Sequence, residues 1–250
     1  MIQFIIPFLY THTYNRKNVE SIAYILEYYV ALFLLSIVYS NHYHSFYVIF
    51  ITLIITICIY EIGYLQNNVF SIKKDKNPTF RHSQDELLFL EQNIIPIIAI
   101  RFGLIMFLIS ILYFIPHNYN MILFIILLLS IIFIFILYNL KFREGIIHRL
   151  LFAILRFLRY FSPIFFLGTP AFIFSLIIAL VNFINHFSWY NRGSVHLHRF
   201  FGTKLFDAII YGNISLYFIS IHSKLYIIFT YLFSIKLLLF IFVFITKRKQ

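Results

Sequence analysis

Between Glu61 and Arg81 the chain gathers side chains able to hold a phosphate or a cation: Glu61, Asn67, Asn68, Ser71, Lys73, Lys74, Asp75, Lys76 and Arg81. Carboxylate and amide oxygens suit Mg2+, which usually takes one or two protein carboxylates and leaves its other positions to substrate phosphates and water. Lysine and arginine supply the complementary charge for a phosphate head. If a helix continues past Leu65, then Glu61, Asn68 and Asp75 recur at heptad spacing on one face with Ser71 beside them. Pro78 ends such a helix, because the residue before a proline resists the α conformation. The lysines alone are equally well explained as a solvated, positively charged connection. Glu61 resists that explanation. It lies several residues inside an apolar run, where a carboxylate is costly and faces a cavity or a partner.

The elements that must position these groups belong in a membrane. Of 250 residues, 62% are hydrophobic and only 12% charged, with a mean hydropathy of +0.88. A soluble domain is about 45–50% apolar and about 25% charged. A protein core cannot bury this apolar fraction, so lipid must solvate the excess. A transmembrane barrel would alternate in polarity over segments of about 10 residues, whereas this chain has long unbroken runs. The expected fold is an all-α, polytopic transmembrane helical bundle forming one domain over residues 1–250. Spans need about 20 mainly apolar residues, and eight segments qualify: Ser21–Tyr39, Phe46–Leu65, Ile94–Ile115, Met121–Leu140, Ile146–Phe161, Phe165–Asn185, Phe206–Ile221 and Leu225–Ile245. Met1–Tyr10 lacks a basic leader and a small-residue cleavage site and does not read as a signal peptide. Cys58 stands alone and forms no internal disulfide. The 33 Phe and 19 Tyr read as compositional bias, individually expected to face lipid or a neighbouring helix.

Charge placement predicts orientation. With eight spans, one set of connections and flanks holds Arg16, Lys17, Lys73, Lys74, Lys76, Arg81, Lys141, Arg143, Arg149, Arg192, Arg199, Lys204, Lys247, Arg248 and Lys249, 15 of the 20 basic residues. The opposite set, Ser40–Ser45, Pro116–Asn120, Ser162–Pro163 and His222–Lys224, holds only Lys224. The excess of Lys and Arg marks the cytoplasmic side. Both termini and the two long connections, Gln66–Asn93 and His186–Leu205, are therefore expected there. The net charge of +11 is then accounted for by topology and calls for no nucleic acid. Lys247–Lys249 fits an anchor against an anionic leaflet.

Further candidates follow. In the second long connection, His196 and His198 have ligand spacing but no Cys or carboxylate nearby to complete a metal set. Trp189 and Tyr190 fit an interfacial anchor, and Arg192 and Arg199 serve equally as head-group contacts or as topology charges. Arg101, Arg156 and Arg159 lie inside spans, where an ionisable group is a functional candidate by default. Snorkelling suffices for Arg149 and Arg101 at the cytoplasmic side and for Arg159 at the outer side; Arg156 is the hardest to relieve. Glu27 and Glu61 are available ion-pair partners. No Gly-rich phosphate loop, nucleophile elbow or zinc-protease helix is present.

The spacing Asn67-Asn68-x-x-Ser71-x-x-x-Asp75, placed after the second span with a Pro and an Arg downstream, resembles the first aspartate-rich motif of the UbiA-type intramembrane prenyltransferases. Tyr138-Asn-Leu-Lys141-Phe-Arg143 is similar to a Tyr-x-x-Lys-Arg segment after that family's fourth helix, and Asn182–Lys204 occupies the place of its second motif. The resemblance implies a UbiA-like fold and transfer of an isoprenyl chain from a polyprenyl diphosphate to an acceptor at the cytoplasmic face, with Mg2+ bridging the diphosphate. It implies that Asp75 and Asn68 meet the metal and that Asp75 and Glu61 act in catalysis, Glu61 orienting the acceptor or binding the cation. Asn67, Asn68, Ser71, Lys74, Arg81, Lys141, Asn182 and Arg192 would contact the substrate. The chain departs from the family in having Asn68 and Ser71 where aspartates stand, and no acidic residue between Glu144 and Asp207. The alternatives are a non-catalytic protein that binds lipid-phosphates or scaffolds surface-glycan assembly, and a transporter. Internal repeat symmetry, common in transporters, is not visible. The expected location is a bacterial inner or plasma membrane.

Overall fold

A helix that is apolar all round satisfies every backbone group internally and can pass through lipid; several of the described helices are of this kind, whereas Gly145–Phe161, with Arg149, Arg156 and Arg159, is two-faced. The computed structural model describes residues 4–11, 13, 19–39, 44–71, 82–115, 120–140, 145–190 and 204–247, with the side chains at several helix ends excepted. Among these residues there is no strand. Helix α1 runs continuously through Val19–Tyr24, Ile25–Val30 and Ala31–Tyr39, its middle stretch in π-helical geometry. Then follow α2 (His44–Gln66, extended by a π turn over Asn67–Ser71), α3 (Gln84–Phe114), α4 (Met121–Leu140) and α5 (Gly145–Phe161). A 3-10 turn over Ser162–Leu167 leads to α6 (Thr169–Tyr190), α7 (Lys204–Ser220) and α8 (Leu225–Lys247).

Each expected apolar segment overlaps one of these helices. Five stretches are long and apolar enough to cross a membrane: Ile22–Tyr39, Phe46–Phe70, Gln84–Phe114, Met121–Asn139 and Ile146–Leu167. The apolar helices Thr169–Ile184, Leu205–Ser220 and Leu225–Ile241 are shorter.

Helix α2 is the axis of the bundle. Its span is 72% buried inside the protein, against 28% for α3 and 22% for α4, which turn most of their surface outward. Ile49, Leu53 and Ile57 of α2 pack with α1 and α5–α8; Ile55, Cys58 and Tyr60 pack with α3–α5; Leu65 and Val69 pack with the N-terminal Phe4 and Tyr10 and the start of α3. Lipid tails are as apolar as leucine, so such packing is driven by close fit and by polar ties rather than by removal from water. Gly63 supplies the closest fit, since a Cβ built there would lie 2.6 Å from Cδ1 of Phe135 on α4.

Three expectations need correction. The third span does not begin at Ile94: α3 starts at Gln84 and carries Pro96 within it. Ser83 caps it with a reciprocal box, its Oγ accepting from Glu86 N at 3.3 Å and its own N–H donating to Glu86 Oε2 at 3.0 Å. The expected Gln66–Asn93 connection is accordingly shorter, because 67–71 and 84–93 are both helical. Secondly, Ser162–Pro163 is not an exposed outer turn. Ser162, Pro163, Ile164 and Phe165 are buried, and α2 satisfies the turn, with Thr52 Oγ1 donating to Pro163 O at 2.8 Å and Thr56 Oγ1 bonded to Ser162 Oγ at 2.9 Å. Non-helical backbone at depth is tolerated where protein surrounds it in this way. Gly168, at φ +65°, takes the left-handed conformation that closes the turn. The third correction concerns Arg101 and Arg159, which are 0% and 1% exposed and do not snorkel.

Candidate functional site

Glu61 lies where α2 is wholly enclosed. Its Oε2 accepts from Arg101 Nη1 of α3 at 2.7 Å, with both side chains at 0% exposure. Its Oε1 accepts from the backbone N–H of Thr11 at 2.9 Å. Arg101 Nε donates in turn to the carbonyl of Phe4 at 2.9 Å. A buried charge is tolerable only when paired and hydrogen-bonded, and here the partners come from two helices and from the N-terminal segment, which crosses the pair as a strap.

Two turns further along α2, Asn68 sits in the π stretch at 4% exposure. Its Nδ2 donates to Tyr10 Oη at 2.7 Å, and Tyr10 Oη lies 3.1 Å from His82 Nε2. The direction of the Tyr10–His82 bond follows the imidazole tautomer, and the ring nitrogen on the other side is Nδ1. That nitrogen faces Glu86 Oε2 at 3.8 Å. Phe4 fills the space between, its ring 6.2 Å from Tyr10, 6.1 Å from His82 and 6.0 Å from Phe89. The strap, the end of α2 and the start of α3 thus share one buried polar cluster.

Deeper in the bundle, Arg159 of α5 is held by tyrosines. Its guanidinium carbon lies 4.7, 4.9 and 5.0 Å from the ring centres of Tyr24, Tyr28 and Tyr60, and Nη1 donates to Tyr64 Oη at 3.0 Å. Tyr28 Oη donates to the Arg159 carbonyl at 2.8 Å, and Tyr60 Oη to the carbonyl of Leu155. The ring faces stand in for the missing water. Arg156 is only half-buried and lies over the Phe152 ring at 4.9 Å. A separate cluster joins α1, α7 and α8: Lys236 Nζ meets Glu27 Oε2 at 2.8 Å and Asp207 Oδ2 at 3.0 Å.

Of the residues expected at the site, Glu61 and Asn68 are joined through the strap, and Asn67, half-buried, and Ser71 are the first and last residues of the π turn. Asn182 is partly buried, and its Nδ2 donates to Ile178 O of its own helix at 2.7 Å. Lys74, Asp75, Arg81, Lys141 and Arg192 lie outside the described residues, as do His196, His198 and Arg199. Both oxygens of Glu61 are occupied by donors, and Asn68 turns its amide nitrogen to Tyr10. Among the described residues no three His, Cys, Asp or Glu side chains stand together as a metal set. Sequence reasoning passed over Tyr10 and His82 and treated the tyrosines as bias. The signal that could have found the tyrosines was an intraspan arginine, Arg159, with aromatic residues as the commonest side chains around it.

No family model matches the chain, and no curated protein or solved structure matches it.

Proposed function

We propose that the protein binds a polyprenyl-diphosphate-type lipid at the inner ends of α2 and α3, on the plan of a UbiA-like membrane prenyltransferase. In this reading eight helices cross a bacterial inner or plasma membrane with both termini cytoplasmic. The supporting observation is the buried cluster of Glu61, Arg101, Asn68, Tyr10 and His82. A membrane protein bears the cost of burying such groups where they serve a substrate or hold the fold, and this cluster leads directly into the stretch that ends at Arg81.

Asn67, Asn68, Ser71 and Asp75 would line the diphosphate site, with Lys74, Arg81, Lys141 and Arg192 offsetting its charge and Asn182 contributing from α6. Transfer breaks the bond between the allylic carbon and the diphosphate oxygen. The diphosphate leaves with the electron pair, and the acceptor's nucleophile closes on the carbon and gives up its proton. The test is turnover of labelled prenyl diphosphate in membranes, where Asp75→Ala is expected to abolish product. Undiminished turnover removes Asp75 from the mechanism.

One observation favours a second reading, binding without transfer. The Glu61 carboxylate is already committed to Arg101 and Thr11, which leaves the site poor in free acidic groups. A protein of this kind would retain labelled prenyl diphosphate and return it unchanged, serving as a lipid-phosphate carrier or scaffold.

A further inference from the structure

The guanidinium of Arg101 is half used. Nη1 is committed to Glu61. Nε and Nη2 form the other edge of the planar fork, the geometry that takes two oxygens of one carboxylate or phosphate. In the structure one carbonyl, that of Phe4, sits on Nε at 2.9 Å. Nη2 has no hydrogen-bond partner among the described residues, although Arg101 is 0% exposed. A buried donor left unmade is expensive, and here the Phe4 carbonyl accepts from Nε alone.

The group occupying that edge is held in place by strain and by exchangeable bonds. Phe8, midway along the strap, has φ +75°, a conformation that a bulky side chain adopts only under constraint. The strap is tied down by the Phe4 carbonyl, the Thr11 N–H and the Tyr10 hydroxyl. Its outward residues Ile5, Ile6 and Leu9 are apolar and exposed, suited to sinking into the lipid interface.

We propose that the Nε/Nη2 edge of Arg101 is a phosphate-binding site that the strap Phe4–Thr11 covers. A phosphate head displaces the Phe4 carbonyl and spans both nitrogens, and the Tyr10 hydroxyl releases Asn68 and His82 as the strap lifts. The strap remains attached to the leaflet through Ile5, Ile6 and Leu9. This assignment rests on the lipid-phosphate reading above and adds to it the arginine that grips the head group and the element that gates it.

The experiment is equilibrium binding of farnesyl phosphate to the full chain in detergent, with amide hydrogen exchange across residues 4–11. Arg101→Lys keeps the charge beside Glu61 but loses the fork, and is expected to weaken binding by about tenfold. Tyr10→Phe keeps the ring but frees the strap from Asn68 and His82, and is expected to tighten binding by about fivefold. Ligand should speed exchange in the strap while α3 amides stay protected. Unchanged affinity in Arg101→Lys, or no gain in Tyr10→Phe together with a strap unaffected by ligand, overturns the assignment and leaves the lipid-phosphate reading standing. Failure of farnesyl phosphate to bind the unaltered chain and both variants alike overturns both.

Discussion

Glu61 on α2 and Arg101 on α3 meet at 2.7 Å with neither side chain exposed. This pair, rather than an open carboxylate, is what the apolar run of α2 encloses. Breaking a buried pair by removing one partner costs about 3–5 kcal/mol, because the other charge is left uncompensated. Glu61→Leu or Arg101→Leu alone should therefore lower stability to unfolding in detergent by about that amount. The double variant should recover much of the loss, since neither charge is then stranded. Losses that simply add would show that the two groups are not coupled.

Lys236 answers two carboxylates, Glu27 and Asp207, at 2.8 and 3.0 Å. Replacing the lysine leaves two like charges facing each other inside the bundle, whereas neutralising one carboxylate leaves an ion pair. Lys236→Met should accordingly destabilise the protein more than either Glu27→Gln or Asp207→Asn, by about 2 kcal/mol or more. Thermal unfolding of the three variants in one detergent decides the order, and equal losses would contradict it.

The tyrosines around Arg159 divide their work between ring and hydroxyl. Tyr28→Phe keeps the face at 4.9 Å and loses only the bond to the Arg159 carbonyl, an effect of about 1 kcal/mol. Tyr28→Leu also removes the face that replaces water around a desolvated cation, adding about 2 kcal/mol. If the two substitutions cost the same, the ring contributes no cation binding.

Gly63 marks the closest approach of α2 and α4. A methyl group there would lie 2.6 to 2.8 Å from three ring atoms of Phe135, and overpacking of this kind costs about 1–3 kcal/mol. Phe135→Leu in the Gly63→Ala background should restore part of it. Wild-type stability in Gly63→Ala would mean that α4 shifts without penalty.

The helices were legible because lipid leaves the chain few options: every expected apolar segment overlaps a helix, although three of the described apolar stretches are shorter than a span. The start of α3 at Gln84 was written in Ser83 and Glu86, yet its first turns are polar, so an apolar threshold passed over them. The buried turn at Ser162–Leu167 could not be seen from its own residues, because it is satisfied by Thr52 and Thr56, more than a hundred residues away. Glu61 and Arg101 were each marked by their depth. Their pairing was not, since several acids and arginines were available and only packing selects among them. Tyr10, Tyr28 and Tyr60 were hidden by abundance, in a chain where tyrosine at any one position carries little information. Of the residues that carry the resemblance, Asp75 and the downstream Arg81 lie outside the described residues, so their part rests on spacing.

The most direct measurement of the central claim is photo-crosslinking with a prenyl diphosphate bearing a diazirine near its head group. The purified protein would be irradiated in lipid nanodiscs and the label mapped by mass spectrometry. A lipid-phosphate site at the inner ends of α2 and α3 predicts label concentrated in peptides covering residues 61–81 and the N-terminal strap, displaced by excess unlabelled prenyl diphosphate. Label spread over the lipid-facing surfaces of α3 and α4, undiminished by competitor, would contradict it.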